Sequence, residues 1–168
     1  MRHTTLALSF SLLLLLACKG KQGDQGPTGL PGASDKQIEF SFGSGFASSD
    51  TAWSTTNAFF NVYHFNSDNY VGIDSAVLNA IVGSSDIAVN GPAELFDLTH
   101  NLPIAGSALS GHDTTKIAGT ITSGSWVGST NIYTKLPSGD VTLAMRYKSA
   151  RQGTLVYVSI PTLYLYRK

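Results

Sequence analysis

The side chains able to do chemistry in this sequence are few, and most stand alone. Cys18 is the one cysteine in 168 residues, so no intramolecular disulfide can form and the thiol is free for attachment. His64, His100 and His112 are far apart, with no His-x-His or His-Glu-x-x-His spacing, so no metal centre is signalled. Gly111-His112-Asp113 sets an imidazole beside a carboxylate. There is no Gly-x-Ser-x-Gly elbow to present a nucleophile to it, and His112 and Asp113 read as turn residues. Neither a P-loop nor a dinucleotide fingerprint occurs. Asp68, Asn69 and Asp74 supply oxygens of the kind calcium takes, and the same residue types are ordinary turn formers. Calcium is thus the one ion the residues suggest, no other cofactor is expected, and catalysis is not. Two indoles remain, Trp53 and Trp126, in settings rich in Ser, Gly and Thr, where an aromatic ring can stack on a sugar. The neighbours of Trp126 read as strand, which predicts core packing for it; for Trp53 stacking and packing stand level.

Cys18 takes its meaning from the residues before it. Arg2 and His3 form a short positive start, and Leu6–Leu16 is an apolar run broken only by Ser9 and Ser11. That run is too short for a permanent membrane span and suits the apolar region of an export signal. It closes on Leu15-Leu16-Ala17-Cys18, which resembles the lipobox of bacterial lipoproteins. The resemblance implies a diacylglycerol on the Cys18 sulfur, cleavage before Cys18 and usually acylation of the new amino terminus. Two or three chains hold stably, since each buried methylene contributes about 0.8 kcal/mol and a single chain is marginal. By the same resemblance to Gram-negative lipoproteins, Lys19 after the cysteine, in place of aspartate, implies that export onward to the outer membrane is permitted. An ordinary signal peptide followed by an incidental cysteine is the competing reading.

Immediately after Cys18, Gly20, Gly23, Gly26, Gly29 and Gly32 keep strict period three. With 17 glycines in the chain, five in register from a given start arise by chance on the order of once in 100,000. Pro27 fills an X position and Pro31 a Y position, so the text is collagen-like. Three polyproline-II chains crowd their common axis at every third residue, where only hydrogen fits, and fifteen residues at about 3.1 Å make a stalk of roughly 45 Å. A monomeric Gly/Pro linker has the same composition. Five triplets are too few to trimerise unaided, so the choice depends on the domain C-terminal to them.

From Lys36 onward the apolar pattern has period two and contains no ten-residue helix. Strands are predicted near 38–42, 59–65, 75–82, 93–98, 104–109, 116–121, 126–127, 131–135, 141–148 and 154–166. Turns fall at 66–69, at Asn90-Gly91-Pro92, at 99–101, at Pro137-Ser-Gly139-Asp140 and at Arg151-Gln-Gly153. The residues from Ala47 to Thr56, around Trp53, read as a loop. Eight to ten short strands argue for an all-β protein, an antiparallel two-sheet sandwich of the jelly-roll kind. The division is residues 1–17 signal peptide, 18–35 lipidated cysteine and Gly-X-Y stalk, 36–168 β-sandwich. Glu94-Leu-Phe-Asp-Leu-Thr with Pro103-Ile-Ala-Gly-Ser107, Leu136-Pro-Ser-Gly139 and the closing Gly153-Thr-Leu-Val-Tyr resemble a jelly-roll module of bacterial surface and phage-associated proteins. In the last strand Val156, Val158, Ile160, Thr162, Tyr164 and Tyr166 alternate with Leu155, Tyr157, Ser159, Pro161, Leu163 and Leu165, so both faces are largely apolar. Pro161 is expected at a bulge or edge. A sandwich strand has one core face, so the other needs cover, from loops or from another subunit.

A collagen-like stalk leading into a jelly-roll head resembles the trimeric complement-type and tumour-necrosis-factor-like proteins, and the resemblance implies a homotrimer. Charge is balanced, 11 basic against 11 acidic residues, which gives no basic patch for nucleic acid. The function expected is that of a cell-surface lipoprotein whose head binds without catalysing, in adhesion or at the envelope. A carbohydrate-binding jelly-roll module, with Trp53 and Trp126 as stacking residues, is the alternative.

Overall fold

A computed structural model of the chain describes residues 36–112 and 124–168. The leader, Cys18, the five triplet glycines, Asp113 and the strand expected at 116–121 lie outside the described residues. The rest is an all-β sandwich of two antiparallel sheets. The strands are β1 (Gln37–Ser41), β2 (Phe46–Ser48), β3 (Ser54–Thr55), β4 (Val62–Phe65), β5 (Ile73–Ser84), β6 (Gly91–Asp97), β7 (Leu102–Pro103), β8 (Leu109–Gly111), β9 (Ser125–Gly128), β10 (Val141–Tyr147) and β11 (Val156–Arg167).

Three pairs of short strands share a lane. β1 and β2 both lie along one edge of β11, β3 and β4 along one edge of β10, and β7 and β8 along one edge of β6. The first sheet therefore runs β1/β2, β11, β5, β9 and the second runs β3/β4, β10, β6, β7/β8. Numbered as lanes in chain order, these are 1-8-3-6 and 2-7-4-5, the interleaved two-sheet order of a jelly roll. From one lane to the next the chain changes sheet at every connection except the tight β6–β7 hairpin.

The core lies between the sheets and follows the alternation that the sequence shows. Ala76, Leu78, Ala80 and Val82 of β5 face Leu95 of β6 and Leu143 and Met145 of β10, all fully buried. Phe42, Phe65 and Ile132 fill the ends, and Phe40, Phe65 and Tyr70 form an aromatic cluster with centroids 5.5–5.7 Å apart. Each such side chain removes roughly 1.5–3 kcal/mol worth of apolar surface from water.

Several expected strands differ. Within the expected loop 47–56, the ends form β2 and β3, each too short to show a period. Residues 59–65 divide into a 3₁₀ turn, Ala58–Phe60, capped by Asn57, and β4. The segment 104–108 is not a strand, and β8 begins only at Leu109. Ser107, fully buried, donates to the Ile104 carbonyl at 2.7 Å and accepts the Leu95 amide at 3.0 Å, so a side chain stands in for the ladder. The segment 131–135 does likewise. Ser129 Oγ and Asn131 Oδ1 accept the amides of Leu78 and Ala76, closing the outer edge of β5, before a 3₁₀ turn at Tyr133–Lys135.

The last strand does break at Pro161. Ile160 takes φ 47° and the β5–β11 register slips between Ser159 and Thr162. Val156 and Val158 point inward before the slip, and Leu163 and Leu165 after it. One bulge thereby folds apolar residues of both parities into a single core face. The outer face is left with Tyr157, Ser159, Tyr164 and Tyr166, all half-buried, beside exposed Ile160.

Candidate functional site

Several of the groups that could do acid–base or metal chemistry are engaged in turns and in contacts between strands. Asp97, 3% exposed, accepts the backbone amides of Thr99 and His100 at 2.8 and 3.1 Å, and its second oxygen lies 2.7 Å from His100 Nδ1. That arrangement holds the β6–β7 hairpin together. His64 reaches Asp140 at 3.0 Å, both mostly exposed, and His112 reaches Asn90 at 2.9 Å. These contacts couple strand ends, and in each the partner oxygen fixes the imidazole in place. The oxygens considered for calcium are divided. Asp68 and Asn69 sit in a 3₁₀ turn, Ser67–Asn69, capped by Asn66, while the Asp74 carbonyl accepts from Asn131. No group of three or more His, Cys, Asp or Glu able to hold a metal occurs among the described residues.

The two tryptophans are on opposite outer faces. Trp53 precedes β3 on the face of the β10-containing sheet and is 37% exposed. Arg146 Cζ lies 4.6 Å and Lys148 Nζ 4.7 Å from its ring centroid, and the same guanidinium lies 4.2 Å from the ring of Phe96. Glu94, directly across the β6–β10 ladder, accepts from Arg146 Nε at 2.6 Å and Nη2 at 2.5 Å, with both side chains more than four-fifths buried. Arg146 thus covers Phe96, meets Trp53 and neutralises Glu94. This is a laminated structural cluster, and the cations against Trp53 occupy ring surface that a sugar would need.

Trp126 is placed otherwise than the sequence predicts. It belongs to β9 as expected, yet it points away from the core and is 57% exposed, because Val127 takes the inward position against Ala80. Across the ladder from it is Ile81, on the same outer face, and across from Ile81 is Ser159. Two lanes carry the aromatic surface further. Tyr157 lies opposite Gly83, and a methyl on Gly83 would overlap its ring, so the ring occupies the space the glycine leaves. Its hydroxyl reaches toward Gly124, where a Cβ would stand 2.9 Å away. At the other end of β11, Tyr164 and Tyr166 stack with centroids 6.2 Å apart, and Tyr164 pairs with Val77. This outer face carries almost no charge: β2, β9 and the paired stretches 75–84 and 156–166 contain none, and Glu39 is the single charged residue of β1.

Sequence reasoning finds Trp126 and the bulge but not this assembly of residues. The signal for it is Gly83 inside the long strand β5, a place where another group comes close to the backbone. No protein-family model matches the chain, and the searches of curated proteins and of solved structures returned no match either.

Proposed function

We propose that the chain is a lipid-anchored surface protein of a bacterial envelope: Cys18 carries the anchor, the glycine triplets form a trimeric stalk, and the sandwich is a non-catalytic binding head. The observation that carries this reading is the run Leu15-Leu16-Ala17-Cys18 followed within two residues by five triplets and then by the start of a β-sandwich. Anchor, spacer and head stand in the order that displaying a domain away from a membrane requires. The assignment of histidines and carboxylates to turns supports binding over catalysis. Expression of the full chain in a Gram-negative host, with radiolabelled palmitate, tests the anchor. The wild type takes up label and sediments with membranes, whereas Cys18→Ser takes up none and stays soluble or unprocessed. Equal labelling of both proteins would refute the reading.

The second reading, a sugar-binding module, gains from one observation, the 57% exposure of Trp126 on a face with little charge. An indole beside hydroxyl and amide groups suits a neutral pyranose ring better than a charged ligand. Trp53, covered by its cations, is the weaker stacking residue of the two.

A further inference from the structure

We infer that Trp126, Asn79 and Ser159 form a subsite for one neutral, glucose-type pyranose ring, laid flat on the indole with adjacent hydroxyls held by the Asn79 carboxamide. The inference rests on the second reading above and adds to it the place, the contacts and the configuration of the sugar. A single sugar residue needs little ground, so the four residues of β9 are enough to carry it.

The indole is bare along its own strand. Side chains alternate between the faces of a strand, so the positions that flank Trp126 on the outer face are 124 and 128, and both are glycine. No side chain of its own strand therefore leans on either side of the ring. Other groups fill the ground that the glycines leave. A Cβ on Gly124 would stand 2.7 Å from Ile81 and 2.9 Å from the Tyr157 hydroxyl, and one on Gly128 would stand 2.5 Å from Asn79 Oδ1. Asn79 lies opposite Gly128 and so diagonal to Trp126, a separation of about 7–8 Å, close enough for one ring to touch both. Ser159 lies beyond Ile81 in the next lane. Among the described residues the half-buried Asn79 carboxamide makes no hydrogen bond, and neither do Ser159 Oγ and the Trp126 indole N–H.

An amide that stands unpartnered beside an exposed ring has a chemical complement. The carboxamide carries an acceptor and a donor side by side, so it accepts from one sugar hydroxyl at Oδ1 and donates to the next from Nδ2. Adjacent equatorial hydroxyls point outward in the plane of a pyranose and suit that pairing. They also leave axial hydrogens on the ring faces, and C–H groups lie well against an indole. A glucose-type ring, with every hydroxyl equatorial, meets both conditions from either face. Neither β9 nor the stretches 75–84 and 156–166 contain a charged side chain, so nothing there would pair with the carboxylate of an acidic sugar. Exposure alone does not select the place, since Trp53, Tyr63 and Leu102 are exposed on the side of the other sheet. There the cations cover Trp53, the Tyr63 hydroxyl donates to the Ala58 carbonyl at 2.9 Å, and the Leu102 side chain has no polar atom to offer.

A glycan array that includes galactose-type and sialylated glycans, followed by calorimetric titration with cellotetraose and chitotetraose, tests the inference on the chain from residue 18 onward carrying Cys18→Ser. The expected result is binding to glucose-type glycans ahead of galactose-type ones, and none to sialylated ones. Trp126→Ala, at an exposed position, then weakens binding by roughly tenfold or more, and Asn79→Ala by about fivefold. Gly128→Ala weakens it as much as Asn79→Ala, because its methyl displaces the amide, and Trp53→Ala leaves affinity unchanged. Binding that survives Trp126→Ala and is lost in Trp53→Ala would overturn the subsite and leave the sugar-binding reading standing, as would a preference for sialylated glycans. Silence on every glycan of the array would overturn both. In Trp53→Phe the indole of Trp126 is the one that remains of two, so a shift in its emission on titration reports stacking on the unaltered subsite. Unmoved emission under saturating sugar overturns the inference even where the other variants fail to fold.

Discussion

Several separate interactions converge on Arg146. Its guanidinium stacks against Phe96 and Trp53 and binds Glu94 while mostly withdrawn from water. Truncation would leave the Glu94 carboxylate half-desolvated without a partner and expose a phenyl ring that is now only 5% accessible. Loss of the cation–π contacts and the orphaned charge together predict that Arg146→Ala costs about 2 kcal/mol. Arg146→Lys recovers little of this, since an ammonium cannot stack flat between two rings while holding the carboxylate. Urea denaturation followed by tryptophan emission measures it, and Trp53 reports the altered surroundings directly. Equal midpoints for wild type and Arg146→Ala would show that the cluster adds nothing to stability. The sequence displays these four residues only as separate letters. Trp53, Glu94, Phe96 and Arg146 are scattered along the chain, and nothing local announces that the β6–β10 register puts residue 94 opposite residue 146. For Trp126 the local signal is ambiguous in sign. Strand periodicity fixes two faces without naming the inner one, and a one-residue shift exchanges them.

At the scale of elements, the alternation that the strands need is written plainly, and long strands are legible while short ones are not. β5, β6, β10 and β11 each extend far enough to show the period. β3 and β7, two residues each, are held by their neighbours and leave no pattern of their own. Segments 104–109 and 131–135 resemble strands because their apolar residues are real core, yet Ser107, Ser129 and Asn131 satisfy the neighbouring backbone with side chains instead. The bulge of β11 is the element-level device with the greatest consequence. Ile160, β-branched, sits at φ 47°, where a side chain is strained by about 1–3 kcal/mol. Ile160→Gly relieves that strain and gives up some unfolded-state restriction in return, so stability stays level or rises by about 1 kcal/mol. Deleting Ile160 removes the extra residue altogether. Val158 and Leu163 then differ by an even number of positions, so plain alternation keeps Leu163 and Leu165, now 0% and 1% exposed, turned inward. Thermal melts of the two variants check this: cooperative melting of both supports the account, and an unfolded deletion refutes it.

For the whole molecule, the balance between stalk and head decides what each contributes to assembly. On the trimeric reading proposed above, fifteen residues of triplet, with two prolines, cannot by themselves overcome the entropy of gathering three chains, whereas heads that associate would hold the three amino-terminal ends within reach of one another. Winding the triplets then becomes an intramolecular step at high effective concentration, worth a modest further gain in stability. This ordering predicts what Gly26→Val does. In that proposed assembly valine at the axis of the central triplet would force the three chains apart, so the stalk would lose its triple helix while the heads kept their contacts. In the chain from residue 18 onward with Cys18→Ser, the mass by sedimentation should therefore remain that of three copies, and two other quantities should fall. The polyproline-type circular dichroism near 220 nm, corrected for the head, should lose its cooperative melt, and the segment before Gln37 should become open to proteolysis at a temperature where the parent resists. A Gly26→Val protein with unchanged melting and unchanged resistance would show that the triplets are a spacer which never winds. Period three would then need another cause, because a flexible tether of that length has no use for glycine in strict register.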